Sequence, residues 1–138
     1  MREIIFRAKD YRTGQWVYGI YFKNPVSRFN EGAYYPQIIP EIHGVHDTIE
    51  RCSIVEDTLG QFTGLTDKNG VKIFEGDIVT YPVGIREFKG KVIFWCATFC
   101  VEHFYPKKMI TTLDDCAADC DIIGNIFDNP ELLGGVDK

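Results

Sequence analysis

Apolar and polar residues alternate in short runs along most of this chain, and glycine, proline or asparagine interrupts the runs at intervals too short for long helices. The opening residues, Arg2 to Arg7, alternate loosely; Lys9-Asp10-Tyr11-Arg12-Thr13-Gly14 reads as a turn, and Gln15 to Phe22 as a long aromatic strand, which together predict a hairpin. In that second strand Trp16, Tyr18, Ile20 and Phe22 share one face and Val17 and Tyr21 the other, so the pattern predicts cover on both sides. Asn24-Pro25 stops it. After a loop over 25–33, Ala33 to Pro40 reads as extended chain framed by prolines, and the prolines predict an edge strand or a connecting arm. Val45 to Ile49 forms a further short strand in this reading.

The densest turn chemistry lies between Leu59 and Val79. Asn69-Gly70 sits between Thr66-Asp67-Lys68 and the alternating Val71-Lys72-Ile73-Phe74, a pattern that predicts a hairpin with positive φ at both central residues. Gly76-Asp77 then opens a second reversal into Ile78-Val79-Thr80-Tyr81, and Pro82 ends that ladder or places it at an edge. Lys91 to Cys96 and Thr98 to Phe104 form a strand pair broken near Ala97. Thr111 to Cys120 is the main helical candidate, with Thr112 as N-cap and Asp114 and Asp115 in the first turn. Ile122 to Phe127 returns as a strand, and Asn129-Pro130-Glu131 starts a terminal helical turn. The predicted fold is mainly β, built of antiparallel strands and hairpins. It comprises an N-terminal β region (1–58), and signature hairpins with an SH3-like partly open barrel (59–138), the latter carrying one or two short helices near the C-terminus.

Several of these residues also carry a family resemblance. Gly60-Gln61-Phe62-Thr63-Gly64-Leu65, Asp67-Lys68-Asn69-Gly70 and Ile73-Phe74-Glu75-Gly76-Asp77-Ile78-Val79 resemble the signature of the YopX family of small bacteriophage and prophage proteins. Met1-Arg2-Glu3-Ile4 with Phe6-Arg7-Ala8 is similar to the family's opening, and Ile122 to Leu133 to its closing motif. The resemblance implies a mostly β, phage-encoded protein of the bacterial cytoplasm, and it brings no established activity or catalytic residue. Two features depart from it: residues 24–50 follow no recognisable pattern, and the paired cysteines are not part of the motif.

Length and composition set the frame. A chain of 138 residues buries one core or two small ones, and its 45% hydrophobic content belongs to a folded domain. No apolar run is long enough to span a bilayer and no signal-peptide segment opens the chain, so the expected compartment is the cytoplasm of the bacterial host. Five cysteines in that setting read as reduced thiols. The net charge of −5 is unevenly distributed. Residues 1–40 carry +3 (six basic, three acidic) and 41–80 carry −5 (three basic, eight acidic); residues 81–110 carry +3 (five and two) and 111–138 carry −6 (one and seven). Such blocks are ordinary solvated faces or complementary surfaces.

Candidate chemistry is sparse. Aligning Gly70 with the fixed glycine of a calcium loop puts Leu65 at the first ligand position and Gly76 where the bidentate acid belongs, so the match fails. Cys96 with Cys100 and Cys116 with Cys120 could supply four thiolates to zinc, although the acidic neighbours of the second pair oppose thiolate formation and buried free cysteines are the simpler reading. His43, His46 and His103, beside Glu41, Asp47 and Glu102, are the acid–base material, with no nucleophile motif to serve. Arg86, Lys89, Lys91, Lys107 and Lys108 interleave with Phe88, Phe94, Trp95, Phe99 and Tyr105, the mix that tracks a phosphate backbone and stacks bases. The resulting expectation is a non-catalytic binding or accessory module with no cofactor and no metal. Its candidate surface is Thr63, Glu75, Lys89, Lys91 and Trp95, and its partner a host or phage protein; membrane binding is not expected and homo-oligomerisation stays open. The alternative is a nucleic-acid-binding accessory factor using segment 86–108.

Overall fold

The computed structural model of the chain describes residues 3–25, 32–40 and 51–134. It resolves into two compact units, Met1–Gln61 and Phe62–Lys138. The architecture is mainly β and antiparallel throughout, with two short helices near the C-terminus. No helix among the described residues is long and apolar enough to cross a membrane.

The N-terminal unit holds β1 (Phe6–Asp10), β2 (Trp16–Pro25), β3 (Tyr34–Pro40) and most of β4 (Cys52–Thr66). Each strand pairs with the next, and β1 also pairs with β4, so the four close on themselves around Ala8, Ile38 and Ile54. The Asp10 carboxylate accepts the N–H groups of Arg12 and Thr13 in the β1–β2 turn, and the first of these bonds does most to hold it below the usual carboxylate range. Between Arg7 and Lys9 the β1–β4 register slips, and the Thr58 hydroxyl bridges the gap by accepting from Lys9 N–H and donating to Val55 C=O. Two expectations are corrected here. The outer face of β2 is open, with Tyr18 40% and Ile20 63% exposed, because a small closed barrel has only one interior. Cover there is local, as where the Arg7 guanidinium lies 4.6 Å from the Trp16 ring. β3 is not an edge: it pairs with β2 over its whole length and with β4 at Gln37 and Ile38, and Pro36 and Pro40 fall outside that short second ladder. The strand expected over Val45–Ile49 lies outside the described residues.

In the C-terminal unit the end of β4 pairs with β5 (Lys72–Phe74). A five-stranded sheet follows, formed by β6 (Asp77–Val83), β7 (Arg86–Trp95), β8 (Thr98–Tyr105), β9 (Met109–Thr112) and β10 (Asp121–Asn125) in the order β10-β6-β7-β8-β9. The hairpin at Asn69-Gly70 forms, but only Gly70 has positive φ, at 80°. The turn is closed instead by Asp67, which is 5% exposed and whose Oδ1 accepts from the N–H groups of Asn69 and Val71. Its backbone C=O accepts from Gly70 N–H. Gly76 (φ 89°) makes a corner and not a hairpin, since β5 and β6 are not ladder partners. Its N–H donates to Val92 C=O, its C=O accepts from Ile126 N–H, and an added Cβ would meet the Phe127 ring at 3.3 Å. β6 pairs with β10 only as far as Thr80, so Pro82 stands where β6 has a single neighbour.

The helical segment is short, as its sequence suggests, but begins two residues after Thr111. Thr112 is the N-cap of α1 (Leu113–Cys116), but its hydroxyl donates to Asp115 Oδ2 and not to the backbone, and a 3-10 turn, Ala117–Asp119, completes the segment. Thr111 and Thr112 belong to β9, where pairing with β8 captures two β-branched residues that a helix would use poorly. α2 (Glu131–Gly134) follows Pro130.

The core of this unit gathers Ile73, Val79, Tyr81, Val92, Val101, Leu113, Cys116 and Cys120, with Phe88 packed against it. His103 is 1% exposed among these residues, its ring 5.5 Å from Tyr81 and 5.4 Å from Phe88. Because Met109 C=O can only accept, His103 Nδ1 carries the proton and donates to it, while Nε2 accepts from the Tyr81 hydroxyl. Burial pushes the imidazole below its usual range.

Three outcomes follow from these packing details. Asp67→Ala removes the acceptor of the Asn69 and Val71 N–H groups and of the longer bond from Ile122 N–H, and should cost about 2–3 kcal/mol in urea unfolding, with an unchanged m-value. The β7–β8 turn places Cys96 (φ 51°) and Ala97 (φ 64°) in the left-handed region, so the double change Cys96→Asn, Ala97→Gly should raise stability by about 1 kcal/mol by the same measurement. His103 titrates lower folded than unfolded, so the unfolded chain binds the extra proton first. Stability should hold above pH 6.5, the ordinary histidine value, and fall as the pH drops through the lowered folded value; His103→Gln should lack that step.

Candidate functional site

Strand alternation divides β7 cleanly. Phe88 and Val92 turn into the core, whereas Lys89, Lys91, Ile93 and Trp95 share the opposite face. Across that face the register sets rows of side chains: Lys91 opposite Glu102 and Glu102 opposite Ile110, then Ile93 opposite Cys100 and Cys100 opposite Thr112. Lys91 Nζ and Glu102 Oε1 form an ion pair at 3.4 Å, both side chains partly exposed. The pairing slips between Lys89 and Gly90, so that β8 carries Phe104 as an extra residue and Tyr105 comes opposite Lys89. The Lys89 ammonium consequently sits 5.9 Å from the centre of the Tyr105 ring.

Two concavities result. One, of about 500 Å³, has Phe104, Met109, Ile110 and Leu133 as apolar walls, with Lys91, Glu102 and Lys108 as its charged groups. His103 backs it, and through the bond to Met109 C=O the buried imidazole helps hold the strand that forms one side. That strand, β9, pairs with β8 alone among the described strands, and Met109 and Ile110 on it are 37% and 40% exposed. The other concavity, of about 680 Å³, is lined by Ile85, Arg86, Glu87, Lys89, Tyr105 and Pro106. Among the described residues neither Arg86 nor Lys89, nor Lys107 or Lys108 in the following loop, has a carboxylate within 4 Å.

The residues singled out from sequence separate into two groups. Lys89, Lys91 and Trp95 do share one face, with Trp95 52% exposed at the turn end of β7. Thr63 and Glu75 lie elsewhere, on β4 and at the β5–β6 corner. Thr63 is absorbed by the fold: its hydroxyl donates to Ile73 C=O at 2.8 Å and accepts from Leu65 N–H, spanning the two extra residues that β4 carries opposite β5. Glu75 is half-buried. The partners that complete the surface, Glu102, Phe104, Ile110 and Leu133, were not singled out as a binding surface, because their contribution depends on β9, which the sequence pattern placed in a helix and its approach.

The remaining candidates fall into place individually. His43, His46, Glu41 and Asp47 lie outside the described residues. Cys96 is exposed at the β7–β8 turn, and Cys100 is buried in β8. Cys116 and Cys120 lie Sγ to Sγ at 4.0 Å in the core, where their mutual hydrogen bond and burial keep the Cys120 thiol protonated. No group of three or more metal-ligating side chains converges among the described residues. In the N-terminal unit Glu56 accepts from the Tyr21 and Tyr34 hydroxyls at 2.7 and 2.8 Å, and these two bonds hold its carboxyl below the usual carboxylate range, while burial and that carboxylate push the Tyr21 hydroxyl above its ordinary value. Both carboxylate oxygens are thereby occupied by neighbours, which suits a structural clasp.

Comparison with known proteins agrees with this architecture. The crystal structure of protein EF1440 from Enterococcus faecalis superposes with a TM-score of 0.56 at 26% sequence identity, covering 96% of this chain and 99% of that one. No curated protein matches the chain significantly. The family model described as YopX protein matches residues 5–134, and the chain therefore belongs to the YopX family.

Proposed function

We propose that this YopX family member is a non-catalytic binding module, encoded by a phage or prophage and acting in the cytoplasm of the bacterial host. Its task in this reading is to take up an extended segment of a host or phage protein along β9. The single observation that carries it is the coincidence of a one-sided strand with an apolar recess beside it: β9 has one ladder partner among the described strands, and Phe104, Ile110 and Leu133 line the adjoining concavity. A peptide added as a further strand gains main-chain hydrogen bonds from the edge and specificity from alternate side chains entering the recess. The Lys91–Glu102 pair and Lys108 offer both signs of charge for setting register. Short strands joined by tight turns in the order β10-β6-β7-β8-β9 support reading the C-terminal unit as an SH3-like partly open barrel, a scaffold suited to such docking. That likeness rests on strand pattern alone.

The test is affinity capture from phage-infected or prophage-induced cells, followed by hydrogen exchange on the recovered complex. The amides of Met109–Thr112 should slow at least tenfold in the complex, and Ile110→Asp should cut recovery of the partner at least tenfold while leaving the melting curve intact. A complex that leaves those amides unprotected, or that forms equally with Ile110→Asp, would refute the assignment.

A further inference from the structure

We infer that the protein carries a second, separate binding surface for single-stranded nucleic acid, in the cradle where Arg86, Lys89 and Tyr105 meet at the end of the C-terminal sheet opposite the β7–β8 turn. The lining of the cradle carries two cations, Arg86 and Lys89, against one acid. On a chain of net charge −5, Arg86 and Lys89, with Lys107 in the loop that follows Pro106, have no carboxylate within 4 Å among the described residues. Glu87 is the one acid lining the cradle. On the same unit, Lys68 and Lys91 each have a carboxylate within 4 Å, Asp121 and Glu102. Like charges gathered without counter-charges repel one another, and an anion with repeating phosphates relieves that repulsion by releasing its own counterions.

The aromatic component selects the polymer. Tyr105 is 47% exposed and meets Lys89 because β8 carries Phe104 as an extra residue. A base laid against that ring gains stacking while its phosphate reaches the neighbouring cations. Ile85, fully exposed at the tip of the β6–β7 hairpin, adds apolar surface along one wall. Stacking on a side-chain ring needs an unpaired base, so the cradle fits a single strand and not the closed stack of a duplex. An acidic peptide would satisfy the cations but has no base to place on Tyr105. Arg86, Lys89 and Tyr105 do not line the Phe104–Ile110 recess, so this surface and the β9 edge can be tested independently.

The experiment is fluorescence anisotropy of a labelled oligothymidylate titrated with the full chain, with salt varied from about 50 to 200 mM. Three phosphate contacts predict a slope of about −2 in log K against log salt, at about 0.7 per contact on a single strand. Arg86→Glu with Lys89→Glu should weaken binding at least tenfold and flatten the slope. Tyr105→Ala should weaken it at least fivefold with the slope unchanged, and Tyr105→Phe should restore it. Ile110→Asp should bind the oligomer as the wild type does, whichever way the capture experiment on β9 turns out. Thermal melts check that each variant remains folded; these side chains are exposed or half-buried, and Lys107→Glu offers a second charge change outside the strands. The inference is overturned if the wild type shows no salt-sensitive binding, if the double charge reversal binds like the wild type, or if poly-glutamate binds as tightly as the oligomer and is indifferent to Tyr105→Ala.

Discussion

A carboxylate taken out of water must be met by hydrogen-bond donors, and in the C-terminal unit the donors that meet Asp67 organise the surrounding chain. Oδ1 accepts from Asn69 and Val71 N–H and so shapes the turn between β4 and β5, while Oδ2 accepts a longer bond, 3.4 Å, from Ile122 N–H, fifty-five residues away on β10. The adjacent Lys68 N–H donates to Cys120 C=O, just before β10. Nine residues after Asp67, the Gly76 corner repeats the device with backbone alone, joined to Val92 on β7 and to Ile126 after β10. The segment from Asp67 to Asp77 is thus fastened at both ends to the sheet, and Asp77 adds a third tie by accepting Phe74 N–H within the corner.

That fastening decides which face of the sheet can carry function. Once β6 is anchored beside β10 and β7, alternation sends Val79, Tyr81, Phe88 and Val92 inward and leaves Lys89, Lys91 and Trp95 outward. The extra residue in β8 at Phe104 then changes what lies opposite what, bringing Tyr105 to Lys89 and separating that pair from the Lys91–Glu102–Ile110 row. One backbone irregularity therefore partitions the outward face into a basic, aromatic cradle and an amphipathic recess. His103 backs the recess, its two ring nitrogens engaged by Tyr81 on β6 and by Met109 on β9.

The polar residues of the most distinctive stretch turn out to serve the fold. Asp67, Asp77 and Thr63 each spend their side chains on nearby main-chain groups. The cysteines behave similarly: Cys116 and Cys120 act as small core residues bonded to each other, and Cys96 contributes a turn position with positive φ. The residues with unspent chemistry are Lys89 and Trp95, on the outward face of β7, and Tyr105 opposite Lys89.

Local information was enough for much of this. Alternating runs and turn residues determined that the chain is mainly β, where the β1–β2 and β4–β5 hairpins reverse, where β7 breaks into β8, and that a short helix starts at Thr112, because backbone preference and side-chain alternation act within a few residues. Tertiary structure decided the rest. Pro36 and Pro40 sit in a strand with two neighbours because only Gln37 and Ile38 need a second ladder, and Thr111-Thr112 are extended because β8 offers them partners. Tyr105 faces Lys89 because the β7–β8 register slips by one residue at Phe104. Each of these depends on register between segments distant in sequence, and register is set by the free energy of whole paired strands, which no local pattern contains.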